Sequence, residues 1–110
     1  MNDFTAVSKV CTLDEHGRLL LPAFLRNQLN LEPEDRLTVF ANLRHKFMEL
    51  LKQEFGELCV DAYGRVCISE EYRNAMGWGA KDKILVQLNK EAGSISLTLS
   101  FKHVPKFRIA

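Results

Sequence analysis

The chain repeats itself. Residues 14 to 39, DEHGRLLLPAFLRNQLNLEPEDRLTV, lie without a gap on residues 61 to 86, DAYGRVCISEEYRNAMGWGAKDKILV, 47 positions downstream. Seven pairs are identical in this register: Asp14/Asp61, Gly17/Gly64, Arg18/Arg65, Arg26/Arg73, Asn27/Asn74, Asp35/Asp82 and Val39/Val86. Apolar character matches at Leu19/Val66, Leu21/Ile68, Leu25/Tyr72, Leu29/Met76, Leu37/Ile84 and Val39/Val86. Two copies are too few for a solenoid or a propeller, so the repeat predicts a pseudo-twofold pair closing on one shared core.

Each copy reads as strand, turn, strand, short helix, strand, turn, strand. Residues 5 to 13 and 55 to 60 are β-prone, and each stretch runs into an Asp-x-x-Gly turn. Asp at the first position can accept a hydrogen bond from the backbone two residues on, and Gly at the fourth supplies a positive φ. The apolar runs Leu19-Leu20-Leu21 and Val66-Cys67-Ile68 then fit strands buried on at least one face, with Arg18 and Arg65 at their mouths. A helix start follows, marked by Pro22 at a first-turn position in copy one and by Ser69 before Glu70 and Glu71 in copy two. Leu25/Leu29 and Tyr72/Met76 share a helical face and leave Arg26/Asn27 and Arg73/Asn74 on others. Asn30 and Gly77, which tolerate the left-handed conformation, end the helices.

A β-hairpin closes each unit, over residues 36 to 42 with 46 to 51 and residues 83 to 89 with 94 to 100. In the last strand Ile95, Leu97 and Leu99 face the core, while Ser94, Ser96, Thr98 and Ser100 are expected to face water. Four short strands and one short helix cannot cover both faces of a half, so the halves should interlock. The expected fold is mainly β with two short helices, divided as residues 1–53, 54–101 and a basic tail at 102–110.

Composition supports one globular domain: 110 residues, 46% apolar and 26% charged. No apolar run approaches the roughly 18 residues of a membrane span, and MNDFTAVSKV lacks a cleavable hydrophobic segment, so the expected location is cytoplasmic, with no membrane partner. Cys11, Cys59 and Cys67 are odd in number, lie in strand-like runs and lack C-x-x-C spacing; reduced core thiols are expected. His16, His45 and His103 form no metal constellation, and neither a catalytic triad pattern nor a phosphate-binding glycine loop occurs. The chain therefore reads as a non-enzyme without cofactor, metal or small-molecule substrate. Its net charge of +1 conceals a basic tail, Lys102, His103, Lys106 and Arg108.

The run TLDEHGRLLLPAFLRNQLNLEPEDRLTVF resembles the AbrB-like swapped-hairpin domain, whose pattern is roughly D-x-x-G-R, three apolar residues, P-x-x-apolar-R, then L-x-[L/I]-x-x-x-D and a strand. DAYGRVCISEEYRNAMGWGAKDKILV is similar to a second copy, and two copies with Asp14 to Arg18 and Asp61 to Arg65 are most similar to the MraZ-like branch. The resemblance covers residues 7 to 100. Departures are a shorter spacing between copies than in MraZ-like proteins, Ser69 in place of the usual Pro, and Asn27 and Asn74 where AbrB itself has a second Arg.

The resemblance implies a pseudo-twofold swapped-hairpin β-barrel of two tandem β-α-β-β units. It also implies a nucleoid-associated, homo-oligomeric transcriptional regulator that meets double-stranded DNA through Arg18, Arg26, Arg65 and Arg73, with Asn27 and Asn74 beside them. Guanidinium forks suit phosphate and guanine edges alike. Lys9, Arg44 and Lys46 are further candidates on charge alone. Simpler readings stand next to these: Asp14, Gly17, Asp61 and Gly64 as turn formers, Arg18 and Arg65 as ion-pair partners of Asp14 and Asp61, Arg26 and Arg73 as solvated helix residues, and Trp78 as core. Two other functions use the same fold, an antitoxin-type DNA-binding protein and a protein-interaction or oligomerisation module. Antitoxins of this kind usually carry a long acidic tail, whereas residues 102–110 are basic.

Overall fold

A computed structural model describes residues 8–100. Eight strands and two helices follow in the order β1 (Ser8–Thr12), β2 (Arg18–Leu20), α1 (Ala23–Gln28), β3 (Arg36–Asn42), β4 (Phe47–Lys52), β5 (Leu58–Cys59), β6 (Arg65–Cys67), α2 (Glu70–Met76), β7 (Lys83–Asn89) and β8 (Ser94–Leu99). Strand outweighs helix, 42% to 14%, so the fold is mainly β. Six strands form an antiparallel sheet curled into a half-barrel, ordered β1-β7-β8-β4-β3-β5, and β2 pairs with β6 in a separate two-stranded ribbon. The basic tail at 102–110 and the first residues of the expected 5–13 stretch lie outside the described residues.

Strand partners cross between the halves. β1 pairs with β7, β5 pairs with β3, and β2 pairs with β6. The repeat governs the hydrogen bonds in detail. Leu13 N donates to Asp82 O and Val60 N to Asp35 O, both at 2.9 Å; Lys81 N donates to Leu13 O and Glu34 N to Val60 O, both at 2.7 Å. Positive φ angles obey the same offset, at Asn30/Gly77, Glu34/Lys81 and Lys46/Gly93 as well as Gly17/Gly64. The backbone is thus repeated well beyond the identical residues, as far as the last hairpin turns.

One apolar cluster takes residues from both copies, among them Leu19, Leu21, Leu25, Leu37 and Leu50 with Val66, Ile68, Ile84, Ile95 and Leu97. Each such fully buried aliphatic side chain contributes about 1.5 to 3 kcal/mol against exposure. Helices of six and seven residues are too short to persist alone, so their order comes from docking Leu25 and Met76 onto this cluster.

Three local expectations are corrected. Pro22 is the N-cap of α1 and not its first helical residue; with no side-chain hydroxyl it makes no cap bond, whereas Ser69 caps α2 by accepting from Tyr72 N at 3.3 Å. Cys59 and Cys67 are exposed and Cys11 is half-buried, because alternation turns Leu58 and Val66 inward and their neighbours outward. The serine face of β8 is not wet throughout: Ser94 is 3% and Ser100 8% exposed, and Ser94 Oγ and Ser96 Oγ donate to Glu49 Oε2 at 2.9 and 3.4 Å. Among the described residues no helix is long and apolar enough to cross a membrane.

Candidate nucleic-acid interface

The two Asp-x-x-Gly turns are near copies in space. Asp14 Oδ1 accepts from His16 N at 2.9 Å and from Arg18 N at 2.8 Å, while Asp14 Oδ2 accepts from Arg18 Nε at 2.7 Å. Asp61 Oδ1 accepts from Tyr63 N at 2.8 Å and Arg65 N at 2.9 Å, and its Oδ2 accepts from Arg65 Nε at 2.8 Å. One carboxylate therefore shapes the turn and grips the arginine that follows it. Both simpler roles for these aspartates, turn former and ion-pair partner, are what the structure shows.

Those bonds also set the charge state. The backbone N–H of Arg18, ahead of its guanidinium and the N–H of His16, holds Asp14 down at about 2. Burial pushes Asp61 up, but the backbone N–H and guanidinium of Arg65 outweigh it and leave the carboxyl lowered. Both acids are ionised at neutral pH, and each keeps its arginine paired.

Arg18 and Arg65 sit on the β2–β6 ribbon. Arg18 lies opposite Cys67, Leu19 opposite Val66 and Leu20 opposite Arg65, so the repeat maps the ribbon onto itself about the Leu19–Val66 pair. Leu19 and Val66 point into the core. Arg18, Leu20, Arg65 and Cys67 form the outward face, on which Leu20 is 49% exposed. Tyr63 adds a stacking surface in copy two, with the Arg65 guanidinium carbon 4.9 Å from its ring centroid.

Arg26 and Arg73 are not solvated helix residues. Arg26 Nε donates to Leu21 O at 2.9 Å and Arg73 Nε to Ile68 O at 2.8 Å, the carbonyls just before their own helices. Each guanidinium then crosses to the opposite copy and covers its turn glycine: a Cβ on Gly64 would stand 2.6 Å from Arg26 Cζ, and one on Gly17 2.5 Å from Arg73 Nε. Leu21 N donates to Gly64 O at 3.0 Å and Ile68 N to Gly17 O at 2.8 Å, so the backbone ties the same two places together. Sequence patterns single out all four arginines and both glycines but not this cross-copy pairing. Its only trace in the sequence is that Gly and Arg are identical in both copies.

All four arginines share one arrangement. Each is fixed through Nε, and among the described residues none of their terminal nitrogens makes a hydrogen bond. Asn27 and Asn74 are exposed beside Arg26 and Arg73, with side chains that bond to no described residue. Of the other candidates, Lys46 Nζ is turned away to Ala75 O at 3.0 Å, Arg44 projects from the exposed β3–β4 tip and Lys9 lies on edge strand β1. Among the described residues no cluster of three His, Cys, Asp or Glu could hold a metal ion. Trp78 is core at 4% exposure, and its buried Nε1 has no partner among the described residues.

Comparison with protein families, with characterised proteins and with solved structures finds no match for this chain.

Proposed function

We propose that this chain is a DNA-binding transcriptional regulator of the AbrB/MraZ-like type, built as a pseudo-twofold swapped-hairpin barrel and acting on the nucleoid as a homo-oligomer. The observation that carries the reading is the set of four arginines held by Nε with their terminal nitrogens unpaired among the described residues, two on each side of the Leu19–Val66 pair. A guanidinium already fixed at Nε loses little freedom when its two terminal nitrogens meet a guanine edge or a phosphate. A two-stranded antiparallel ribbon also has the width that a DNA major groove admits. Arg18 and Arg65 are the groove-facing pair in this reading. Arg26 and Arg73 stand behind them, with Asn27 and Asn74 reaching backbone oxygens.

A second reading, an interaction or oligomerisation module of the same fold, is favoured by the carboxylates of Asp14 and Asp61. They lie within 2.7 and 2.8 Å of the arginines and cancel much of the field that would draw a polyanion. Fluorescence-anisotropy titration of AT-rich and mixed duplexes at low and moderate salt separates the two. The regulator binds in a salt-dependent way, and an Arg18→Ala/Arg65→Ala variant with an unchanged circular dichroism spectrum does not. Absence of binding by the native chain at low salt leaves the interaction module.

A further inference from the structure

Positions that match across the repeat inside the molecule diverge on the outer face of the large sheet. One cross-strand row runs Val10, Leu85, Thr98, Phe47. Its counterpart 47 positions away runs Glu57, Thr38, Leu51, Ser94, of which Thr38 pairs with Leu51 and Leu51 with Ser94. Among the described residues the first row borders a groove of about 670 Å³ between β1, β7 and β8, lined by Val10, Leu85, Thr98 and the partly buried Leu99, with Lys9 at its side. Where the groove has Ser8, Lys9 and Val10, the other copy has Phe55, Gly56 and Glu57.

Phe55 is the opposite of a groove. It is 90% exposed, the most exposed large apolar side chain among the described residues. The turn that carries it is braced: Gly56 N donates to Gln53 O at 3.1 Å, Arg36 Nη1 donates to Gly56 O at 3.1 Å, and Gly56 is pressed on the Leu37 backbone. A held turn that presents a bare phenyl ring is a preformed knob, which loses little freedom on docking. Its flanks are acidic, Glu54 and Glu57, whereas the groove is flanked by Lys9 and by Lys83, two residues from Leu85 on the same strand face.

We propose that Phe55 of one copy seats in the Val10–Leu85–Leu99 groove of a second copy, with Glu54 and Glu57 against Lys9 and Lys83. Knob and groove lie at opposite edges of the sheet, at β5 and β1. The contact is therefore heterologous and propagates head to tail, closing as a ring or extending as a filament. Knob-to-knob pairing fails on charge, since it sets four glutamates together. The inference stands independently of DNA binding and is tested without DNA.

Sedimentation velocity of the full chain over a concentration series reads the assembly. Wild-type chains are expected to pass beyond dimers as concentration rises. Phe55→Ser removes the knob and Leu85→Asp blocks the groove, so each variant alone is monomeric with an unchanged circular dichroism spectrum. Mixed in equal amounts, the intact groove of one and the intact knob of the other form a one-to-one pair and nothing larger. Should Leu85→Asp not fold, Lys9→Glu serves in its place: it weakens assembly of otherwise wild-type chains about tenfold or more, and a Glu54→Lys/Glu57→Lys chain restores pairing to it. A monomeric wild type, single variants that assemble like wild type, or a mixture that stays monomeric would each overturn the proposal.

Discussion

The Arg73 guanidinium lies in the space that a Cβ on Gly17 would take, with Nε 2.5 Å from that point, and Arg26 stands in the same relation to Gly64. Each glycine is required twice over. Its φ, +81° at Gly17 and +85° at Gly64, belongs to the left-handed region that side chains disfavour, and its missing Cβ leaves the path by which the other copy's arginine crosses. Turn conformation and the joint between copies are thus one feature.

Alanine at either glycine is expected to destabilise the fold, by about 1 to 2 kcal/mol for the backbone alone. The two costs should differ. The nearest atoms to a Cβ at Gly64 all belong to the Arg26 side chain, whereas a Cβ at Gly17 also meets Ile68 O at 2.9 Å. Urea unfolding of a double-mutant cycle reads this: Arg26→Ala should recover part of the loss in Gly64→Ala, and Arg73→Ala should recover a smaller part of the loss in Gly17→Ala. Simple additivity in both cycles would mean that the arginines do not press on the turns.

On the ribbon, neighbours should differ sharply in what they contribute. Leu19 is fully buried, and Leu19→Ala is expected to cost about 2 to 5 kcal/mol. Leu20 is 49% exposed, and Leu20→Ala should stay within about 0.5 kcal/mol. Paired chemical-denaturation midpoints check both, and equal losses would show that the ribbon's outward face is covered in solution.

Local chemistry makes part of this fold legible in the amino-acid sequence. The Asp-x-x-Gly turns, the helix ends at Asn30 and Gly77 and the hairpin tips are set within a few residues, and the fold follows that chemistry there. Exposure inside apolar runs is harder to read: nothing within Leu19-Leu20-Leu21 or Val66-Cys67-Ile68 says that the middle of a continuous run faces out. Ser94 misleads for another reason, since a polar residue on an alternating face looks wet until Glu49 on the neighbouring strand is seen to cover it. The arginine geometry depends on contacts with the companion copy, such as Arg73 on Gly17, beyond the reach of local patterns.

Acid should loosen the turns in a defined window. Asp14 is lowered to about 2 by the N–H of Arg18 and its other donors, and Asp35 is lowered by the N–H of Glu32 and by Lys52. A carboxyl depressed by folding stabilises the fold above its unfolded pKa, near about 4, and that contribution fades as pH falls through the folded value. Urea midpoints should therefore drop chiefly between about pH 4 and pH 2. Asp14→Asn should flatten that slope while lowering stability at neutral pH. An unchanged slope would mean that the Asp14 bonds persist on unfolding or contribute nothing.

The DNA reading makes a quantitative demand on the arginines. If all four meet phosphate, the logarithm of the binding constant should fall with the logarithm of salt concentration at a slope near about −3.6, and either single variant, Arg18→Ala or Arg65→Ala, should bring it to about −2.7. Lysine at these two positions separates phosphate contact from base reading. It keeps the charge, so the slope should hold, but lysine has a single tetrahedral nitrogen and cannot bond the aspartate while also presenting a flat fork of two separate nitrogens. Arg18→Lys/Arg65→Lys should then lose about 1 to 3 kcal/mol of discrimination at each base contacted, with little loss of affinity for random duplex. Undiminished discrimination in the lysine variant would confine these arginines to the backbone, and a salt slope unmoved by alanine would remove them from the DNA face altogether.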